Sequence, residues 1–166
     1  NYHTACWTGI EIIVGGGRGC GGNCILNTGG RYNPGTDNWA ATSTVNAPVA
    51  RDRHSALWTS SEMIIWGGSD TMHGLHTGGR YNPSTDTWNV TSNLSVPTAR
   101  EHQKAIWTGT EMLVWGGKSG DNLNTGGRYK QGTNNWKALG VTNTAVHRTY
   151  QPDVCTGAKL SVGCGY

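Results

Sequence analysis

The sequence predicts an all-β fold built from one repeated four-stranded sheet, and three observations carry that prediction. First, the phrase Thr77-Gly78-Gly79-Arg80-Tyr81-Asn82-Pro83-Ser84-Thr85-Asp86-Thr87-Trp88 has close copies at Thr28 to Trp39 and at Thr125 to Trp136. The tyrosines Tyr32, Tyr81 and Tyr129 lie 49 and then 48 positions apart, as do Trp39, Trp88 and Trp136. A period near ~50 is a repeat architecture. Second, short apolar and β-branched runs bounded by Gly, Asn, Asp and Pro recur inside each period, and no stretch has helical spacing. Third, the chain holds 26 Gly, eight Trp and six Tyr but no Phe among 166 residues. Large side chains with a polar handle suit sheets packed close to water.

Composition narrows the function classes. The net charge of +3 is spread along the chain without a Lys/Arg cluster, which argues against nucleic acid as a partner. No apolar run approaches the ~20 residues that a membrane-spanning helix needs, so no membrane span is expected. The chain begins at Asn1 without a signal-peptide pattern, and mature, cleaved or trimmed ends are expected. Five cysteines is an odd count. Cys20 and Cys24 share a Gly-rich loop, and Cys155 and Cys164 lie near the C-terminus. Without His/Cys metal spacing these four are disulfide candidates from an oxidising compartment, with one thiol left free or paired outside the chain.

Taken in order, each unit opens with a hairpin. Trp7-Thr8-Gly9-Ile10-Glu11-Ile12-Ile13-Val14-Gly15-Gly16 returns as Trp58 to Gly68 and as Trp107 to Gly117. Strands a and b flank its Thr-Gly or Ser-Ser turn. A loop that differs in every copy follows, at 17–27, 69–76 and 118–124. Strand c is Thr-Gly-Gly-Arg-Tyr, an Asn-Pro-x-Thr-Asp type turn comes next, and strand d carries Trp. The units fall at about 1–40, 50–89 and 99–137, with connectors of roughly ten residues between them. Four short strands at this period match a propeller blade better than a helical solenoid.

The order Arg-x-x-His, apolar strand, Gly-Gly, Tyr-Asn-Pro, Thr-Asp-x-Trp resembles the kelch repeat, especially its bacterial secreted type, within the galactose-oxidase-like superfamily. The resemblance covers almost the whole chain and implies a kelch-type β-propeller. A half blade follows at about 147–166. Aligning Arg51, Arg100 and Arg148 sets Cys155 to Gly165 on Trp107 to Gly117 without a gap. Three and a half blades cannot close a ring, so the expectation is that missing sequence or another chain completes it.

Repeated residues read as structural. His3 and His54 lie four before their strand anchors, but His102 and His147 do not. Gln103 and Gln151 take the matching places, so a histidine metal ring dissolves into consensus residues that bond backbone between blades. Glu11, Glu62 and Glu111 share a hairpin position. Asp37 and Asp86 share a turn position and are expected to bond their own turn backbone. Arg31, Arg80 and Arg128, like Arg51, Arg100 and Arg148, are expected to stack on or bond the neighbouring blade.

What does not repeat is more informative about binding. Arg18, Asp70, His73, Lys118 and Asp121 fall in the variable b–c loops on one face, where a rigid scaffold presents contact residues. These five are the candidate ligand-binding residues; no catalytic residue, metal ligand or cofactor is assigned. The expected function is a non-enzymatic binding or structural module of a secreted or surface protein, extracellular or periplasmic, with a protein or glycan ligand. Two other readings stay open: a piece of a kelch-type enzyme, either a copper radical oxidase or a sugar epimerase, and a subunit of a larger assembly built through open sheet edges.

Overall fold

A computed structural model describes residues 1–140 together with the backbone of Asp153–Thr156 and Lys159–Val162. Strands β1 (Thr4–Trp7), β2 (Ile12–Gly15), β5 (Gly29–Asn33) and β6 (Asn38–Ala41) form the first antiparallel sheet. A small hairpin of β3 (Arg18–Gly19) and β4 (Cys24–Ile25) stands in its b–c loop. The second sheet is β7 (Ser55–Trp58), β8 (Met63–Trp66), β9 (Gly78–Asn82) and β10 (Thr87–Val90). The third is β11 (Lys104–Trp107), β12 (Glu111–Trp115), β15 (Gly126–Lys130) and β16 (Asn135–Ala138), with the hairpin β13 (Lys118–Ser119) and β14 (Asp121–Asn122) in its loop. Strands β17 (Asp153–Thr156) and β18 (Lys159–Val162) pair with Cys155 opposite Leu160. That is the register of Trp107 opposite Met112 in β11 and β12, as the gapless alignment of the fourth copy requires. The protein is all-β, three four-stranded blades and a two-stranded part of a fourth, the architecture of a β-propeller.

The recurring words become rows across each sheet. In the second blade Trp58 faces Met63, Met63 faces Tyr81, and Tyr81 faces Trp88. The third blade repeats this with Trp107, Met112, Tyr129 and Trp136. In the first blade the row is Trp7, Ile12, Tyr32 and Trp39. Each Tyr ring tilts against its Trp, with centroids 5.0 to 5.2 Å apart.

Blades stack through these rows. Cys6 and Ile13 of the first blade pack on Met63, Ile65, Tyr81 and Trp88 of the second. Leu57, Ile64 and Trp66 of the second pack on Met112, Val114, Tyr129 and Trp136 of the third. Burying an aromatic row of this kind is the main favourable term at each junction. Among the described residues nothing covers the first blade's row in this way: Trp39 is 64% exposed, where Trp88 is 8% and Trp136 3% exposed.

Two kinds of glycine let the sheets approach. At Gly79 a Cβ would stand 2.5 Å from Cγ of Pro48, so the connector proline lies flat on strand β9. At Gly68, with φ +91°, a Cβ would meet the Asp52 carbonyl oxygen at 2.4 Å, and only glycine fits.

Arginine roles differ from the sequence expectation in one respect. Arg31 and Arg80 do reach the next blade, donating to the carbonyls of Pro83 and Gln131. Arg51 and Arg100 instead turn into their own blades, onto the carbonyls of Gly67 and Thr77 and of Gly116 and Thr125. Arg148 lies outside the described residues. The repeated aspartates also differ. The Asx turn is made by Asn33 and Asn82, which accept from the amides of Gly35 and Ser84. Asp37 and Asp86 accept from Tyr32 and Tyr81 hydroxyls, and Asp86 also from the Ser43 amide of the preceding connector. Their left-handed φ of 53° and 51° turns the carboxylate back toward the tyrosine and away from the turn.

Candidate functional site

The b–c loops and the d–a connectors come together on one face of the blades. Backbone bridges join Asp52 to Ser69 and Glu101 to Lys118, so each connector runs beside the loop of its own blade. This places Asp52, which is buried, and Glu101, which is half-buried, beside those loops.

A chain of charges crosses the face. The Arg18 guanidinium donates to the buried carboxylate of Asp52. Arg53 donates to Glu101 at 2.8 Å, across 48 residues of sequence. Both guanidinium groups also sit against the Tyr2 ring, with Cζ 5.7 Å from the centroid for Arg18 and 5.2 Å for Arg53. Two cations on one aromatic ring, each held by a carboxylate of a different connector, form a pre-ordered surface. The hydrogen bond to Glu101 holds the Arg53 guanidinium above its usual pKa range, so it stays charged.

Beside this row, Arg53, His54, His102, Gln103 and Lys104 line a cavity of about 270 Å³. His54 Nε2 lies 2.7 Å from the Thr4 hydroxyl of the neighbouring blade. Gln103 Nε2 donates to the Trp66 carbonyl at 2.9 Å, the backbone bond between blades that the repeat alignment expects, whereas His54 meets a side-chain hydroxyl instead. Burial above all, with Arg51 nearby, pushes the His54 pKa down to about 4, so its imidazole is neutral near pH 7.

The five sequence-predicted residues do not form one cluster. Arg18 and Lys118 belong to the charged row, Arg18 through Asp52 and Lys118 through its backbone pairing with Glu101 at 2.8 and 3.0 Å. Asp70 serves its own loop: its carboxylate accepts from the amides of His73 at 2.7 Å and Met72 at 3.0 Å. Those amides hold its carboxyl below the usual range. His73 is exposed, 3.9 Å from that carboxylate. Asp121 sits across from Ser119 in the exposed hairpin of β13 and β14. Sequence reasoning missed Tyr2, Asp52, Arg53 and Glu101. The signal was an acidic residue directly after the repeated arginine in Arg51-Asp52 and Arg100-Glu101.

Cys20 and Cys24 are bonded, with Cα atoms 5.6 Å apart. Cys6 is a free thiol between the first two blades, and burial pushes its pKa up to about 11. The Cys155 side chain and Cys164 lie outside the described residues. Among the described residues no three His, Cys, Asp or Glu side chains gather closely enough to hold a metal ion, and no helix is long and apolar enough to cross a membrane.

The family described as the KLHDC2/KLHL20/DRC7 Kelch-repeats domain matches the chain over residues 2–166. No curated protein matches it.

Proposed function

The chain belongs to the kelch-repeat family and is a protein-interaction or structural module, and on that premise we propose that it docks a protein partner on the b–c loop face. The observation that carries this reading is the row of Arg18, Asp52, Arg53 and Glu101, which spans three blades and is fixed on the Tyr2 ring. Side chains immobilised before binding lose little entropy when a partner arrives. The proposal extends to setting. The Cys20–Cys24 bond suits a secreted or surface-associated protein, extracellular or periplasmic. The ring is completed by further blades, from another chain or from further sequence, which cover the row of Trp7 and Trp39.

The test pairs Lys118→Ala with Asp121→Ala, two exposed positions whose side chains hold no fold contact named above. Against a partner captured by crosslinking on the native surface, the double variant should bind at least about tenfold more weakly at an unchanged thermal midpoint. Equal binding overturns the loop face as the docking surface. Loss of binding only after the partner is deglycosylated would make the ligand a glycan. Native mass well above 17.7 kDa is expected for the closed ring.

A further inference from the structure

The opposite end of the blades carries a second cavity. It lies where the a–b turns of the first two blades meet the c–d turn of the second, and its volume is about 500 Å³. That is the size range of small-molecule sites. One wall is the half-buried Trp58; Thr8, Glu11, Ser60, Ser61, Asn82 and Ser84 add polar groups, and Ile10 and Pro83 add apolar surface. We propose that this groove is a saccharide-binding site that takes one pyranose ring. It stands apart from the loop-face reading, because the two lie at opposite ends of the strands.

The two blade junctions differ in what stands opposite the hairpin glutamate. At the second junction Gln131 Nε2 donates to Glu62 at 2.5 Å, and Arg80 donates to the Gln131 carbonyl. The side chain of Gln131 thus spans from the turn to the hairpin glutamate. At the first junction the corresponding residues are Pro83 and Glu11. The arginine contact is kept, from Arg31 to the Pro83 carbonyl. Proline has no side-chain amide to offer, and the Arg31 guanidinium lies 3.8 Å from Glu11. Glu11 therefore lines the cavity with no glutamine opposite it.

Ser60 is a second, independent observation. Its φ is +81°, in the region that L-residues avoid, while the other two hairpins have Gly9 and Gly109 there at +102° and +97°. Serine thus places a hydroxyl in the groove at a position where the two matching turns have none.

The lining fits a neutral polyol. An indole face takes the C–H face of a sugar ring, while a carboxylate, serine hydroxyls and an amide exchange hydrogen bonds with its hydroxyls. No Lys or Arg lines the groove, and Arg31 offsets the charge of Glu11, which disfavours a cationic side chain as the occupant.

The test is ligand-observed saturation-transfer NMR and calorimetry on the full chain, with methyl pyranosides of glucose, galactose, mannose and N-acetylglucosamine as probes. At least one should bind in the low-millimolar range or tighter. Pro83→Gln, which sets a glutamine opposite Glu11 as Gln131 stands opposite Glu62, and Ser60→Gly, which removes the hydroxyl, should each weaken it, the former by about tenfold or more, without lowering the thermal midpoint. N-acetyl-lysinamide should not bind. The proposal is overturned if none of the four pyranosides binds, if binding is equal in both variants, or if the lysinamide alone occupies the groove.

Discussion

The guanidinium of Arg51 donates to the carbonyl oxygen of Thr77 at 2.6 Å, joining the entrance of the second blade to the start of its third strand. The carbonyls of Val49 and Gly67 and the Thr77 hydroxyl take three of its other four hydrogens. Every acceptor is neutral, and burial lowers the Arg51 pKa to about 10. Lysine cannot reproduce the planar fork, and its loss strands buried carbonyls. Arg51→Lys is therefore expected to cost ~2–4 kcal/mol in urea unfolding, and Arg100→Lys the same.

Glycine positions that look alike in the repeat should respond differently. A Cβ at Gly79 or Gly127 would stand 2.5 or 2.4 Å from Cγ of Pro48 or Pro97, whereas at Gly30 the nearest atom is Cε3 of Trp39 at 3.1 Å. The indole of Trp39 is exposed and free to give way. Gly79→Ala and Gly127→Ala are expected to destabilise by ~1–3 kcal/mol and Gly30→Ala by less than about 1. Thermal unfolding of the three variants side by side checks the order.

The same contrast holds for the tryptophans. Trp88→Ala empties a junction where the side chain is packed by Cys6, Ile13 and Met63, and should cost ~3–5 kcal/mol. Trp39→Ala should cost less than about 1 kcal/mol in this chain alone. Acrylamide quenching gives a direct reading: Trp39 should be quenched in the isolated chain and shielded in the completed ring.

His54 makes stability pH-dependent. Its folded pKa of about 4 lies below the ordinary 6.5, so between those values the unfolded chain binds more protons. Stability is full above ~6.5 and falls as the pH drops toward 4, by on the order of 3 kcal/mol from this one group. His54→Gln, the side chain found at position 103, should remove that part of the slope. Thermal midpoints of the two proteins at pH 7.5 and 4.5 measure it.

The blades were legible because the motif words constrain the backbone directly. Gly-Gly pairs, Thr-Gly hairpins and Asn-Pro turns each permit few conformations, and their recurrence marks four strands in order in each unit. The short hairpins β3–β4 and β13–β14 were not legible. Arg18-Gly19 and Lys118-Ser119 carry no strand signal, and the pairs form because glycine-rich loops fold back on themselves. Long-range polar partners were also hidden. Arg18 meets Asp52 and Arg53 meets Glu101 only because the connectors run beside the loops, a relation that no local pattern encodes. Arg51 was recognised as structural but assigned to the wrong neighbour, since spacing alone does not say which way a long side chain turns. Ser60 looked like an ordinary turn residue; its φ is visible only in three dimensions.

Strand β1 lies beside β7 and β7 beside β11, so among the described residues each sheet leans on the next, as in a row of stacked plates. Under tension applied at its two ends, such a row should give way sheet by sheet. Each sheet that lets go should release one period of 48 or 49 residues, roughly 170 Å of extended chain, while the others still bear load. A force–extension trace would then show separate steps of that length.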